Sequence, residues 1–141
     1  MKILLIEDET PAAERLIEAL AAIRSDLQPL ALLTTVKESV QWLKTHEQPD
    51  LIFMDIELTD GQSFQIFEEI RLDCPVIFCT AYDEYWQKAF EYNSIDYLLK
   101  PVSKDKLAAS IHKYEQLKLH FSQSLEQLQR FHKNIEGYKK R

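Results

Sequence analysis

Apolar residues recur along this chain in two alternating rhythms. Short unbroken runs, KILLI (2–6), LALLT (30–34), LIFMD (51–55), VIFCT (76–80) and IDYLL (95–99), have the composition of strands. The first, third and fourth are almost wholly apolar, as strands are when helices cover both faces of a parallel sheet. Between the runs lie segments of helical period: Pro11 to about Arg24, about Lys37 to His46, about Gln62 to Leu72, about Glu84 to Tyr92, and from about Lys104 onward. Thr10 followed by Pro11 predicts an N-cap and first-turn pair for the first helix, and Ala12, Leu16, Ile17 and Leu20 give that helix an apolar stripe. Strands alternating with helices in this way predict an α/β fold, a doubly wound parallel sheet with right-handed crossovers.

Length and composition narrow the class. At 141 residues the chain amounts to one domain, or one domain with an appendage. Its opening, MKILLIEDE, has too short an apolar stretch for a signal peptide, and no run approaches a membrane span. Cys74 and Cys79 bracket an apolar segment without metal-ligand spacing, and are expected to be reduced core residues. Gly61 and Gly137 are the only glycines, which excludes a Gly-rich phosphate-cradling loop. The net charge of −6 is unevenly spread. Residues 104–141 carry nine Lys and Arg against four acids, and residues 1–103 carry eight against nineteen. So acidic a body argues against nucleic-acid binding by that part of the chain.

Candidate chemistry gathers where the strands end. In a parallel sheet every strand points the same way, so the residues just past the strands share one edge, which is where open α/β sheets bind ligands. Glu7, Asp8 and Glu9 follow the first strand. Asp55 ends the third, with Glu57, Asp60 and Gly61 close behind. Thr80 and Ala81 close the fourth, and Lys100 and Pro101 follow the fifth. Taken singly, these are an acidic helix start, a helix cap and a loop lysine; together they put three carboxylates, a hydroxyl and an ammonium on one edge. Two carboxylates about 4 Å apart repel by roughly 4 kcal/mol at an effective dielectric near 20, so Glu7, Asp8 and Asp55 require cations. Lys100 supplies one, and a hard divalent ion such as Mg²⁺ fits as the second. Such a site suits a phosphoryl group, with a central carboxylate able to attack phosphorus and form an acyl phosphate.

From residue 1 to about 120 the chain resembles the CheY-like receiver domain of two-component response regulators. LLIEDE resembles that family's acidic pocket, LIFMDIELTDG its phosphoacceptor strand and loop, VIFCTA its hydroxyl strand and DYLLKP its Lys-Pro strand. The resemblance implies a flavodoxin-like sheet of order 2-1-3-4-5 with an extended C-terminal helix, a receiver over 1–120 and a helical linker over 121–141. It makes Glu7 and Asp8 the metal pair, with Asp8 the direct ligand and Glu7 replacing the commoner Asp. Asp55 becomes both phosphoacceptor and ligand, and the Glu57 backbone carbonyl a further ligand. Thr80 and Lys100 contact the phosphoryl group, Tyr97 occupies the aromatic switch position, and the Lys100–Pro101 bond is expected to be cis. Mg²⁺ is the implied cofactor, a sensor histidine kinase the implied partner, and the cytoplasm the implied location. Catalysis would extend only to the domain's own phosphorylation and dephosphorylation. AFEYNSIDYLLKPVS (89–103) resembles the corresponding stretch of regulators with a LytTR-type DNA-binding output domain. DNA would be contacted only through such a domain, which this sequence does not contain, and the chain is then expected to be a receiver with its linker.

Two other readings compete. DIELT approaches the DxDx(T/V) motif of haloacid-dehalogenase-like Mg²⁺ phosphatases, but Glu57 stands in place of the second Asp and the nucleophile lies on the third strand. A receiver-like interaction module that is never phosphorylated would not need the complete set Glu7, Asp8, Asp55, Thr80 and Lys100. The tail has its own pattern. Leu107, Tyr114, Phe121, Leu128 and Ile135 fall at one heptad position and Ile111 and Leu125 at the other, which Lys118 and His132 interrupt. The first half is expected to pack on the sheet, and the second to continue as a helix that assists a homodimer.

Overall fold

The computed structural model of the chain describes residues 1–92 and 94–139, with side chains of the last helix as far as Arg130. The elements run β1 (Lys2–Ile6), α1 (Thr10–Ile23), β2 (Gln28–Leu33), α2 (Val36–Thr45), β3 (Leu51–Met54), β4 (Glu57–Leu58), β5 (Gly61–Gln62), α3 (Phe64–Glu69), β6 (Val76–Thr80), α4 (Trp86–Ala89), β7 (Ser94–Leu99) and α5 (Lys104–Lys139). Five strands form one sheet in the order β2-β1-β3-β6-β7, every pair parallel. In terms of the five apolar runs this is the expected order 2-1-3-4-5.

Burial follows position in the sheet. Ile3, Leu4, Leu5 and Ile6 of β1, all of β3 and all of β6 are buried, whereas the outer strands β2 and β7 are only partly so. Leu4, Ile6, Ile52, Met54 and Phe78 belong to one core cluster with Val40 and Leu43 of α2 and Phe64 and Ile66 of α3. The interdigitated aromatic rings of Phe64, Phe67, Phe78 and Tyr92 extend it beneath β6. Burial on this scale is the main source of stability.

Helix starts and lengths depart from the sequence pattern in three places. Thr10 is not the N-cap of α1: Glu9 holds that position with extended backbone and no side-chain cap, and its carbonyl accepts the Ala13 N–H at 3.1 Å. Pro11 has no N–H, so this end has one fewer orphan donor to satisfy. Helix α3 begins only at Phe64, because Glu57–Leu58 pairs antiparallel with Gly61–Gln62 in a hairpin the pattern did not suggest, and Gly61 adopts φ +142° there. Helix α4 is a single turn, closed where Ser94 Oγ donates to the Ala89 carbonyl at 2.7 Å.

The chain divides into two units, residues 1–110 and 111–141. The first holds the sheet and the opening turns of α5, where Leu107 is buried and Ser110 Oγ donates to Asp96 Oδ2. The second is helix as far as Lys139, and Leu117, Leu119, Phe121, Leu125 and Leu128 are exposed along it. The expected seam residues His132 and Ile135 lie outside the described side chains.

Candidate functional site

Parallel pairing brings the predicted strand-end residues together. Asp55 follows β3 directly, and its N–H donates to the Ile6 carbonyl at 2.8 Å; Glu7 follows β1, and its N–H donates to the Leu33 carbonyl at 2.9 Å. The Lys100 N–H donates to the Thr80 carbonyl at 2.8 Å, fixing the end of β7 beside that of β6. Carboxylate oxygens of Glu7, Asp8 and Asp55 lie within 4.8 Å of one another. Glu7 and Asp55 are buried, Asp8 is half-buried, and Glu9 faces solvent. Lys100 Nζ donates to Asp55 Oδ2 at 2.9 Å and also to Glu7 Oε1, so one ammonium bridges two buried acids. Asp55 Oδ1 accepts the Ile56 N–H at 2.7 Å. The peptide bond leading from Lys100 to Pro101 is cis, as expected.

Charge balance identifies what the pocket suits. Burial pushes the Glu7 carboxyl up to about 7; the Lys100 hydrogen bond pulls it back only in part, and the Asp55 charge pushes it further up. Burial alone would lower the Lys100 ammonium, but its bonds to Glu7 and Asp55 outweigh that and hold it above the ordinary lysine range. Three acids against one lysine leave an anionic, all-oxygen donor set. Such a set matches a hard divalent cation and offers nothing to a soft one.

The remaining candidates bond to other partners. Thr80 is fully buried, and its Oγ1 accepts the Tyr82 N–H at 3.4 Å. Tyr97 is half-buried, its ring 6.5 Å from that of Phe78 and its hydroxyl donating to the Tyr82 carbonyl. Glu57 Oε1 accepts the Tyr85 hydroxyl at 2.7 Å and the Gln62 amide at 3.1 Å. Tyr85 and Gln62 had no signal in the sequence, since they reach Glu57 only once the hairpin and the β6–α4 loop are folded. Asp60 is not in the pocket: it accepts the Val36 and Lys37 N–H groups at 2.7 and 3.1 Å. Cys74 and Cys79 are free and buried, and burial pushes their thiols up to about 11 and about 12. Both therefore stay protonated core residues.

A model of the response regulator receiver domain matches residues 3–112. The chain belongs to that family. This receiver is 35% identical over 116 residues to the sensory transduction protein LytT of Enterococcus faecalis, covering 80% of this chain and 47% of LytT. To LytR of Staphylococcus saprophyticus it is 33% identical over 119 residues, covering 82% of this chain and 46% of LytR. The receiver thus spans about half the length of the curated relatives it matches. Its fold is similar to the N-terminal domain of a response regulator/sensory box/GGDEF three-domain protein from Carboxydothermus hydrogenoformans, with TM-score 0.73, 25% identity, and coverage of 86% of this chain and 99% of that one. The response regulatory domain of mrkE from Klebsiella pneumoniae shares the fold at TM-score 0.72 and 23% identity, covering 87% of this chain and 99% of that one. The receiver is a signalling domain of two-component systems, not a member of a typical enzyme family. Receiver domains bind Mg²⁺ at an acidic pocket, and Glu7, Asp8 and Asp55 form such a cluster here. Among the described residues no helix is long and apolar enough to cross a membrane.

Proposed function

We propose that Asp55 accepts a phosphoryl group from the phosphohistidine of a sensor kinase. A carboxylate oxygen attacks phosphorus, an O–P bond forms as the N–P bond breaks, and water later returns the aspartate and inorganic phosphate. The observation that carries the reading is the shared ammonium of Lys100, bonded to both Asp55 and Glu7 beside a third carboxylate. Mg²⁺, held by Glu7, Asp8, Asp55 and the Glu57 carbonyl, would neutralise the phosphoryl oxygens. Lys100 leaves Glu7 for the phosphoryl group, whose charge outweighs that of one carboxylate. Thr80 gives up the Tyr82 N–H and turns its hydroxyl toward the new oxygens. Since Tyr97 is tied to the Tyr82 carbonyl, the same movement frees it to turn inward, which makes Thr80 and Tyr97 the two ends of a switch. The changed surface is that of α4, β7 and the start of α5.

Residues 1–120 are read as the receiver and 121–141 as a helical linker that assists a homodimer in the cytoplasm. By likeness to LytT and LytR, a LytTR-type domain would carry any contact with DNA. Acetyl phosphate with Mg²⁺ is expected to give a hydroxylamine-sensitive adduct, lost in Asp55→Asn, with no turnover of phosphomonoesters. Steady phosphomonoester hydrolysis would favour a haloacid-dehalogenase-like phosphatase instead.

A further inference from the structure

Beside the acidic pocket, three side chains from three parts of the chain meet. Glu57 lies in β4, two residues beyond Asp55, and Gln62 is its partner across the hairpin in β5. Tyr85 stands immediately before α4, at the end of the loop that starts at Thr80. The Tyr85 hydroxyl donates to Glu57 Oε1 at 2.7 Å, the Gln62 amide donates to the same oxygen at 3.1 Å, and that amide lies 3.3 Å from the Tyr85 oxygen. The Tyr85 ring is itself held edge-on by Phe64 at 6.3 Å and by Tyr82 at 6.1 Å. At its other end the same loop is tied to β7 through the Tyr97 hydroxyl on the Tyr82 carbonyl.

We propose that Tyr85 is a positioning residue: with Gln62 it clasps the Glu57 side chain, so that the hairpin beyond Asp55 and the Thr80–Tyr85 loop move as one body. The inference rests on the phosphoreceiver reading and deepens it, because the hairpin carries the carbonyl assigned to the metal and the loop carries the hydroxyl assigned to the phosphoryl group. Metal binding at one end of the clasp then reaches the start of α4 at the other without passing through the sheet. A hydrogen bond to a carboxylate is among the stronger kinds, and three mutually bonded groups on a packed ring give the clasp a defined geometry. When Thr80 gives up the Tyr82 N–H, the loop that follows it moves with Tyr85 as long as Tyr85 stays bonded to Glu57.

The test uses the full chain with Trp42→Phe, which leaves Trp86, the residue after Tyr85, as the one tryptophan. Mg²⁺ titration followed by calorimetry and by Trp86 fluorescence is compared across Tyr85→Phe, Glu57→Ala and Glu57→Gln. Tyr85→Phe keeps the ring and removes only the donor. It and Glu57→Ala are expected to weaken Mg²⁺ binding by about tenfold, the low end for groups that support a metal ligand, and to remove most of the Trp86 response. Glu57→Gln keeps an acceptor oxygen for both donors and is expected to restore the Trp86 response that Glu57→Ala loses. In the metal-free protein, amide exchange over residues 57–62 and 81–86 is expected to quicken together in Tyr85→Phe, a joint change that a local packing defect does not produce. Unchanged affinity and Trp86 response in Tyr85→Phe overturn the clasp while leaving the phosphoreceiver standing; a parent chain that binds no Mg²⁺ by calorimetry overturns both.

Discussion

Glu7 and Lys100 show how a single residue is tuned by what surrounds it. Burial pushes the Glu7 carboxyl up, and the hydrogen bond from the ammonium it shares with Asp55 offsets that only in part. With a folded value of about 7 against an ordinary 4.5, the Glu7 contribution to stability is present below about 4.5 and is lost as pH rises through about 7. A metal requires the anion, so Mg²⁺ affinity is expected to rise from about pH 6 to about pH 8 with proton uptake by buffer, at most tenfold per unit. Calorimetry in buffers of different ionisation enthalpy checks this, and Glu7→Gln is expected to flatten the profile. At this scale the acids, Thr80 and Lys100 were legible because each follows an apolar run and parallel strands deliver their ends to one edge. Tyr85 and Gln62 were not, since nothing local marks a partner 28 or 5 residues distant across a fold.

Helix α2 illustrates the element scale. Thr35 caps it by accepting the Glu38 N–H at 3.0 Å, and Asp60, from the hairpin loop, accepts two further N–H groups of its first turn. Burial pushes the Asp60 carboxyl up, but those two backbone donors outweigh it and hold the group below the ordinary carboxylate range. The stabilisation is therefore present above the ordinary carboxylate pKa and lost as pH falls through the lowered one. Asp60→Ala is expected to cost about 1 kcal/mol in denaturant melts at neutral pH, with the difference from wild type shrinking on acidification. An equal difference at acidic pH would remove Asp60 as the cap. Helix and strand identities were legible from period and composition. Lengths were not: the Glu57–Gln62 hairpin delays the start of α3, and the Ser94 hydroxyl bonds the Ala89 carbonyl at the end of α4, neither of which the helical period shows.

For the whole molecule, the alternation of strands and helices sufficed to foresee a doubly wound sheet, because crossover handedness leaves few topologies. The tail was legible as a helix, but its partner was not, since an apolar stripe does not say what covers it. Phe121, Leu125 and Leu128 are exposed, and the homodimer reading predicts that cutting the chain after His120 weakens self-association in sedimentation velocity while leaving phosphorylation intact. An unchanged dimer constant assigns dimerisation to the 1–120 surface. The central claim, that the pocket exists to phosphorylate Asp55, is tested most directly by intact mass after exposure to acetyl phosphate. Wild type with Mg²⁺ is expected to gain about 80 Da, the mass of one phosphoryl group, and neither Asp55→Asn nor wild type stripped of Mg²⁺ gains it. The same gain in Asp55→Asn would contradict the account.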